Sequence, residues 1–216
     1  KIIALTTLAL QEKETSEAYK LRAFTKQISF DRQGLIEDIN WVLNKNPQDS
    51  EALLLRANAF ANQARSGKWL LALDGYDEVI SLGGKQKALA LINRGLFRIW
   101  VLKDLDGIVD VNKAIELEPK NKHFYLARGY FYSMPFISKE FANNEKSIKD
   151  YEKAMKLKNE KSISNFVFAD WLNIVIENKD TQPYIELCRI KANLDIYGAI
   201  KVCNEGLKID PKEKQL

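Results

Sequence analysis

Reactive side chains are scarce in this chain. It has one histidine and two cysteines in 216 residues, with only ten glycines and five prolines. One histidine cannot build a histidine-rich metal set. Cys188 and Cys203 stand alone, without the close second pair that a zinc site or a thioredoxin-type motif needs. Gly83-Gly84 is an isolated turn signal rather than a phosphate-cradling loop. His123 has no base, nucleophile or metal partner near it in the sequence. Catalytic residues, metal ligands and cofactors are therefore not expected, and the chain reads as a non-enzyme. Long apolar runs are also missing, and none approaches the eighteen or more residues of a membrane span. Thirty-three Lys and Arg against 29 Asp and Glu give a net charge of +4. That mild excess is spread along the chain, so no basic stripe of the kind that grips nucleic acid is present. Alternating strand patterns bounded by hairpin turns are absent too.

What the chain does have is a recurring phrase. Tyr19-Lys-Leu-Arg22-Ala23, Leu53-Leu-Leu-Arg56-Ala57, Leu91-Ile-Asn-Arg94-Gly95 and Tyr125-Leu-Ala-Arg128-Gly129 each run large apolar, two residues, Arg, small. The small residue falls at 23, 57, 95 and 129, at intervals of 34, 38 and 34 residues. A period of that length marks a repeat array. After each phrase come small or branched residues at three- and four-residue steps: Ala72, Tyr76, Val79; Val111, Ala114; Ser147, Tyr151, Ala154; Ala199, Cys203, Gly206. Such steps share one face of a helix. Asn46-Pro47, Gly83-Gly84, Glu118-Pro119 and Asp210-Pro211 then supply stops, because Pro pushes its predecessor out of the helical region and Gly caps a helix end. Each unit is helix, turn, helix, stop.

The stretches Leu105-Asp-Gly-Ile-Val-Asp-Val-Asn-Lys-Ala-Ile-Glu-Leu-Glu-Pro119 and Ile196-Tyr-Gly-Ala-Ile-Lys-Val-Cys-Asn-Glu-Gly-Leu-Lys-Ile-Asp-Pro211 resemble second helices of the tetratricopeptide repeat, and the whole reads like a bacterial-type array. The resemblance implies an all-α fold, an α-solenoid or superhelix of antiparallel helix-turn-helix units. Ala23, Ala57, Gly95 and Gly129 would sit where the two helices of a unit approach most closely. Arg22, Arg56, Arg94 and Arg128 would be edge residues whose stems cover a neighbouring helix.

Residues 1–216 are expected to form a single solenoid. Its units are 1–13 (a preceding second helix), 16–47, 50–84, 88–119, 122–158 and an irregular 162–211 with an extra helix. The step from the small residue to the second-helix face grows from 19 residues in Ala23–Val42 to 22 in Ala57–Val79 and 25 in Gly129–Ala154. Extra residues should therefore bulge at 64–69 and at 134–144, the latter carrying Phe136 and Phe141. Residues 1–10 suit the inner face of a preceding helix through Ile2, Leu5 and Leu8. A remnant of a secretory signal is the alternative, so the chain fits the cytoplasm unless that segment directs export. Cys188 and Cys203 read as buried reduced thiols, although they are close enough to bridge if the protein is exported.

By the same resemblance, first helices line a concave groove. Its candidate lining is Leu54, Asn58 and Asn62, then Ile92, Asn93, Leu96 and Trp100, then His123, Leu126 and Tyr130. One family subclass grips the C-terminal carboxylate of chaperones with paired Lys, Asn and Arg. Asn58 and Asn93 match that pattern. Leu54 and the pair His123 and Ala127 stand where its cations belong, and a carboxylate desolvated without cations is costly. The expected role is a scaffold that binds another protein or peptide in the groove mainly by apolar contacts, with no nucleic-acid partner and no membrane span. A regulatory or targeting region of a larger enzyme or of a secretion or assembly machine is one alternative. A self-associating module, a homodimer, is the other.

Overall fold

The structure, a computed structural model, describes residues 13–64, 67–134, 142–157, 182–192 and 194–210, with Thr7, Leu10 and Lys212. The expectations for residues 1–10, for Phe136 and Phe141, and for the apolar stretch 162–177 lie essentially outside the described residues. Among the described residues all regular structure is helical. The helices are α1 (Ser16–Ile28), α2 (Arg32–Lys45), α3 (Ser50–Ala61), α4 (Trp69–Leu82), α5 (Lys87–Trp100), α6 (Gly107–Leu117), α7 (Lys122–Tyr132), α8 (Asn144–Lys156), α9 (Gln182–Ala192) and α10 (Ile196–Ile209).

Short polar side chains set the starts. Thr15, Asp31, Asp49, Asn143 and Asp195 each accept a hydrogen bond from the backbone N–H three residues on, and Asn121 from that of His123. Each bond satisfies one of the orphan donors of a first turn. The double glycine ends α4 as its sequence suggests. Gly83 and Gly84 both adopt positive φ, at 75° and 70°, which a side chain would resist. Seven residues, 62–68, connect α3 to α4, and eleven, 133–143, connect α7 to α8. Three connect α1 to α2, residues 29–31. The added length therefore falls between the two helices of a pair.

The contacts divide the chain into two compact units, Lys1–Phe97 and Arg98–Leu216. In the first, α1 packs on α2, α3 on α4, and α2 on α3. Its core holds Ala23, Leu35, Ile39, Val42, Leu53, Ala57, Ala72, Tyr76 and Val79. In the second, α7 packs on α8, α9 on α10, and α8 on α9. Val111, Ala114, Phe124, Phe131, Tyr151, Ala154 and Leu187 are buried there. Ala23 and Ala57 have 0% and 1% of their surface exposed, and Gly95 and Gly129 are buried as well.

The repeat arginines do more than cover a neighbouring helix. Arg22 holds Asp38 of α2 in a fork, with Nε and Nη2 donating over 2.8 and 2.5 Å. Arg56 donates to Asn40 of α2 and Arg94 pairs with Asp77 of α4. Arg128 makes both kinds of link. It donates to Asn112 of α6 at 2.7 Å, and grips Asp150 of α8 at 2.8 and 2.7 Å. A first-helix arginine thus fastens the second helix of its own pair, of the preceding one, or of both.

The two cysteines depart from the sequence reading. They are neither fully buried nor reduced, but form a disulfide across 5.6 Å between Cα atoms. A connection of three residues, 193–195, turns α10 back along α9 and brings positions fifteen apart face to face. That lies within the usual bridging range.

Candidate functional site

Seven of the ten candidate groove residues are buried: Leu54, Asn58, Ile92, Asn93, Leu96, His123 and Leu126. The four aliphatic ones belong to the packed core. Asn58 and Asn93 belong to an internal network. The Tyr76 hydroxyl and the Asn93 amide both donate to Asn58 Oδ1, at 2.8 and 3.0 Å. This ties α3, α4 and α5 together inside the first unit. Burial holds the Tyr76 phenol well above its ordinary range, so it remains a donor. Burial, with the Lys122 ammonium beside it, pushes the His123 imidazole down to about 4. A neutral ring of that kind is a core residue that resists protonation.

Asn62, Trp100 and Tyr130 keep part of their surface open. Trp100 and Tyr130 both belong to the second unit, and there they meet. Their rings lie at 6.2 Å with planes 20° apart. Phe131 meets Trp100 edge-on at 5.4 Å and Tyr130 edge-on at 6.2 Å. Offset and edge arrangements of this kind suit the ring quadrupoles. The Lys103 ammonium stands 5.7 Å from the Trp100 ring centre. Lys103 reaches it from a left-handed backbone conformation, φ 57°, directly after α5. Burial raises the Tyr130 phenol, and the Glu186 carboxylate of α9 adds to the effect while Arg189 opposes it. The result is a half-open aromatic surface with a buried floor (Phe131), a cation at one edge and a Glu186–Arg189 pair at 2.8 Å nearby.

The sequence points to Trp100 and Tyr130 through helical phase. It leaves out Phe131 and Lys103. Phe131 follows a predicted site residue and could have been found as a second ring on the same turn. The position of Lys103 depends on a turn that no short motif announces.

A second concavity of about 450 Å³ opens among α8, α9 and α10 in the same unit. Met155, Leu187 and Val202 supply apolar lining, and a Lys191–Glu152 contact of 3.6 Å lies at its wall. Among the described residues no group of three or more His, Cys, Asp or Glu is placed to hold a metal ion. No described helix is long and apolar enough to cross a membrane.

Among the described residues, successive antiparallel helix pairs without strands define an all-α helical-repeat fold. Comparison with known proteins shows what this fold resembles. No protein-family model matches the chain. Over 150 residues, 69% of its length, the chain is 29% identical to the mitochondrial import receptor subunit TOM70 of Rattus norvegicus, and equally to that of Homo sapiens. The matched stretch spans 23% of the length of those receptors. Among solved structures, YrrB, described as a TPR protein with an unusual peptide-binding site, aligns over 97% of this chain and 94% of its own. The TM-score is 0.54 at 10% identity. MamA aligns over 89% and 96% with a TM-score of 0.57 at 16% identity. A chain of the Cut9–Hcn1 hetero-tetramer of the APC/C aligns over 98% and 44% with a TM-score of 0.59 at 14% identity. At these identities the structural likeness is one of fold. The chain shares the all-α helical-repeat fold of these structures, among them the TPR protein YrrB, and its repeats resemble the tetratricopeptide repeat.

Proposed function

We propose that the chain is a non-catalytic scaffold that takes a segment of a partner protein mainly by apolar contact, with Trp100 and Tyr130 as anchors. The observation that carries this reading is the half-open ring cluster of Trp100, Tyr130 and Phe131. Large rings fixed by their neighbours lose little freedom on binding and dominate interface energies. The TPR protein YrrB is described as having a peptide-binding site, which supports a peptide-like ligand here. The low value of His123 and its burial leave it without a proton-transfer role at neutral pH.

The test is partner affinity at low and high salt for the parent, Trp100→Ala, Tyr130→Ala and Lys153→Glu, the last on an exposed position of α8. At least one ring truncation should weaken binding by about 2 kcal/mol or more. Salt should leave apolar binding largely intact. Loss of binding in high salt, or loss only in Lys153→Glu, refutes the reading.

A second reading is favoured by length. The matched stretch is 23% of import receptors, so we also propose that this scaffold serves as a binding region of a larger receptor-like chain or enzyme. Recovering the full-length protein by mass spectrometry from its source distinguishes the two.

A further inference from the structure

Three second helices repeat one inward face at steps of four and three residues: Ala72, Tyr76 and Val79 on α4, Ser147, Tyr151 and Ala154 on α8, Ala199, Cys203 and Gly206 on α10. In α4 and α8 the middle position is a tyrosine with 0% of its surface exposed. Tyr76 reaches Asn58 of α3, and the Tyr151 ring lies against Gly129 of α7. In α10 the middle position is Cys203, which is partly open and meets its partner helix through the bond to Cys188. The remaining hold of α10 on α9 is slight, because its buried residues are Ala199, Val202 and Gly206. Its larger apolar side chains face outward, with 83% of Tyr197 and 51% of Ile200 exposed. Toward α8 the concavity lined by Met155 and Val202 intervenes. A disulfide thus stands where a buried ring stands in the other two pairs.

We propose that Cys188–Cys203 is a redox-modification site, a clasp that a dithiol reductant opens, releasing α10 from α9 while the rest of the second unit stays folded. Both cysteines keep part of their surface open, so a thiolate can reach them. One thiolate of the reductant attacks a cysteine sulfur, a mixed disulfide forms, and the other cysteine leaves as a thiolate. The second thiol of the reductant then displaces the protein sulfur. Two electrons and two protons pass to the protein, which ends with two thiols, and the reductant ends as a disulfide. The bond joins positions fifteen apart in sequence. Closing a loop of that length disfavours the detached chain by roughly a hundredfold, and reduction gives that factor back. Packing through alanine and glycine offers little to offset it, whereas a buried tyrosine would. Helix α9 is held differently. It packs on α8 as well, and Ile185, Leu187 and Ile190 are buried. Release of α10 uncovers the surface of α9 on which Ala199 and Val202 rest, so the state of one bond decides whether that surface is available.

The test is amide hydrogen exchange on the 216-residue chain, oxidised and then treated with dithiothreitol without denaturant, with thiols titrated in parallel. Dithiothreitol should free both thiols. The amides of α10 should then exchange roughly a hundredfold faster, while those of α7 and α8 keep their protection. Reoxidation with oxidised dithiothreitol should restore the slow exchange of α10, which separates release from irreversible damage. Cys203→Ser should show fast exchange in α10 with no reductant present and no further response when it is added. A bond that dithiothreitol leaves intact in the folded chain, an α10 equally protected before and after reduction, or a loss of protection shared by α8 and α10 each overturns the proposal.

Discussion

Ala57 on α3 and Gly75 on α4 cross so closely that a methyl group added at Gly75 would stand 2.8 Å from the Ala57 Cβ. Neither backbone can yield cheaply, because Ala57 is itself buried at 1% exposure and has no flexible end to move. Two effects oppose each other in Gly75→Ala. Removing a mid-helix glycine gains about 1 kcal/mol of helix propensity. Overpacking a crossing of this kind costs about 1–3 kcal/mol. The clash should win, and thermal melting of Gly75→Ala should show a lower midpoint than the parent. Gly129→Leu should do the same in the second unit, where a Cβ would meet Asp150 Cβ at 3.2 Å and Tyr151 Cε1 at 3.3 Å. Parent-like melting of both variants would refute the close crossings.

The Asn58 carboxamide is the hub of three helices in the first unit. Asn58→Ala removes the shared acceptor and leaves the Tyr76 hydroxyl and the Asn93 amide without it inside a core where all three residues have 0% exposure. A buried donor stripped of its partner costs about 1–3 kcal/mol. Tyr76→Phe removes one donor and strands no acceptor, since Asn93 still donates to Asn58. It should therefore cost less than Asn58→Ala in urea denaturation, and the reverse order would show that the network is not as drawn.

The repeat phase was legible because the small residues at helix crossings and the apolar face of each second helix are local signals. Ala57 could be picked out by its place in a recurring phrase. Its partner Gly75 could not, because Gly75 lies outside the Ala72, Tyr76 and Val79 pattern that marks the same helix. The arginines were legible as positions but not as links. Asp38, Asn40, Asp77 and Asn112 look like ordinary polar residues of second helices until packing brings them to an arginine. The groove was legible only in part. Helical phase places Asn58, Ile92 and Leu126 on first helices, but whether a face is open depends on how far the neighbouring helix covers it, and no local pattern records that. Trp100 and Tyr130 stay partly open beside residues that do not. The cysteines were legible as neighbours within one helix pair, close enough to bridge, but no local pattern records whether such a pair is reduced or joined.

Arg128 sits at a junction, bonded to Asn112 on one side and to Asp150 on the other. The Asp150 side chain is only 7% exposed, against 21% for Arg128. Arg128→Ala leaves that carboxylate without its fork in a largely dry place. Hydrogen bonds to charged groups are worth about 1.5–3 kcal/mol, and a loss of that size is expected in chemical denaturation. Lys149 and Glu145, spaced i to i+4 with side chains 69% and 79% exposed, provide the control. Lys149→Ala should leave stability almost unchanged, because solvent and salt screen exposed pairs. Equal effects from the two variants would contradict the burial of Asp150.

His123 makes stability depend on pH in a window it occupies nearly alone. It is the only histidine in the chain. Burial, then the neighbouring Lys122 ammonium, depresses its value from 6.5 to about 4 in the folded state. Between those two values the unfolded chain binds a proton at this ring and the folded chain does not. Acid therefore favours unfolding there. The sign follows directly. Stability is fully present above about 6.5, falls as pH drops toward 4, and is no longer affected by this group below that value. The depression corresponds to about 3 kcal/mol at most, taking 1.36 kcal/mol for each unit. Carboxylates begin to contribute only in the lower part of the range, so pH 5 to 6.5 isolates the histidine. Urea denaturation of the parent at pH 7 and at pH 5 should show the lower stability at pH 5. His123→Phe, which cannot take up the proton, should show a flatter profile across the same interval even if its absolute stability differs. A parent whose stability is constant from 7 to 5, or a His123→Phe variant that retains the full slope, would place the imidazole in contact with solvent and not in the core of the second unit.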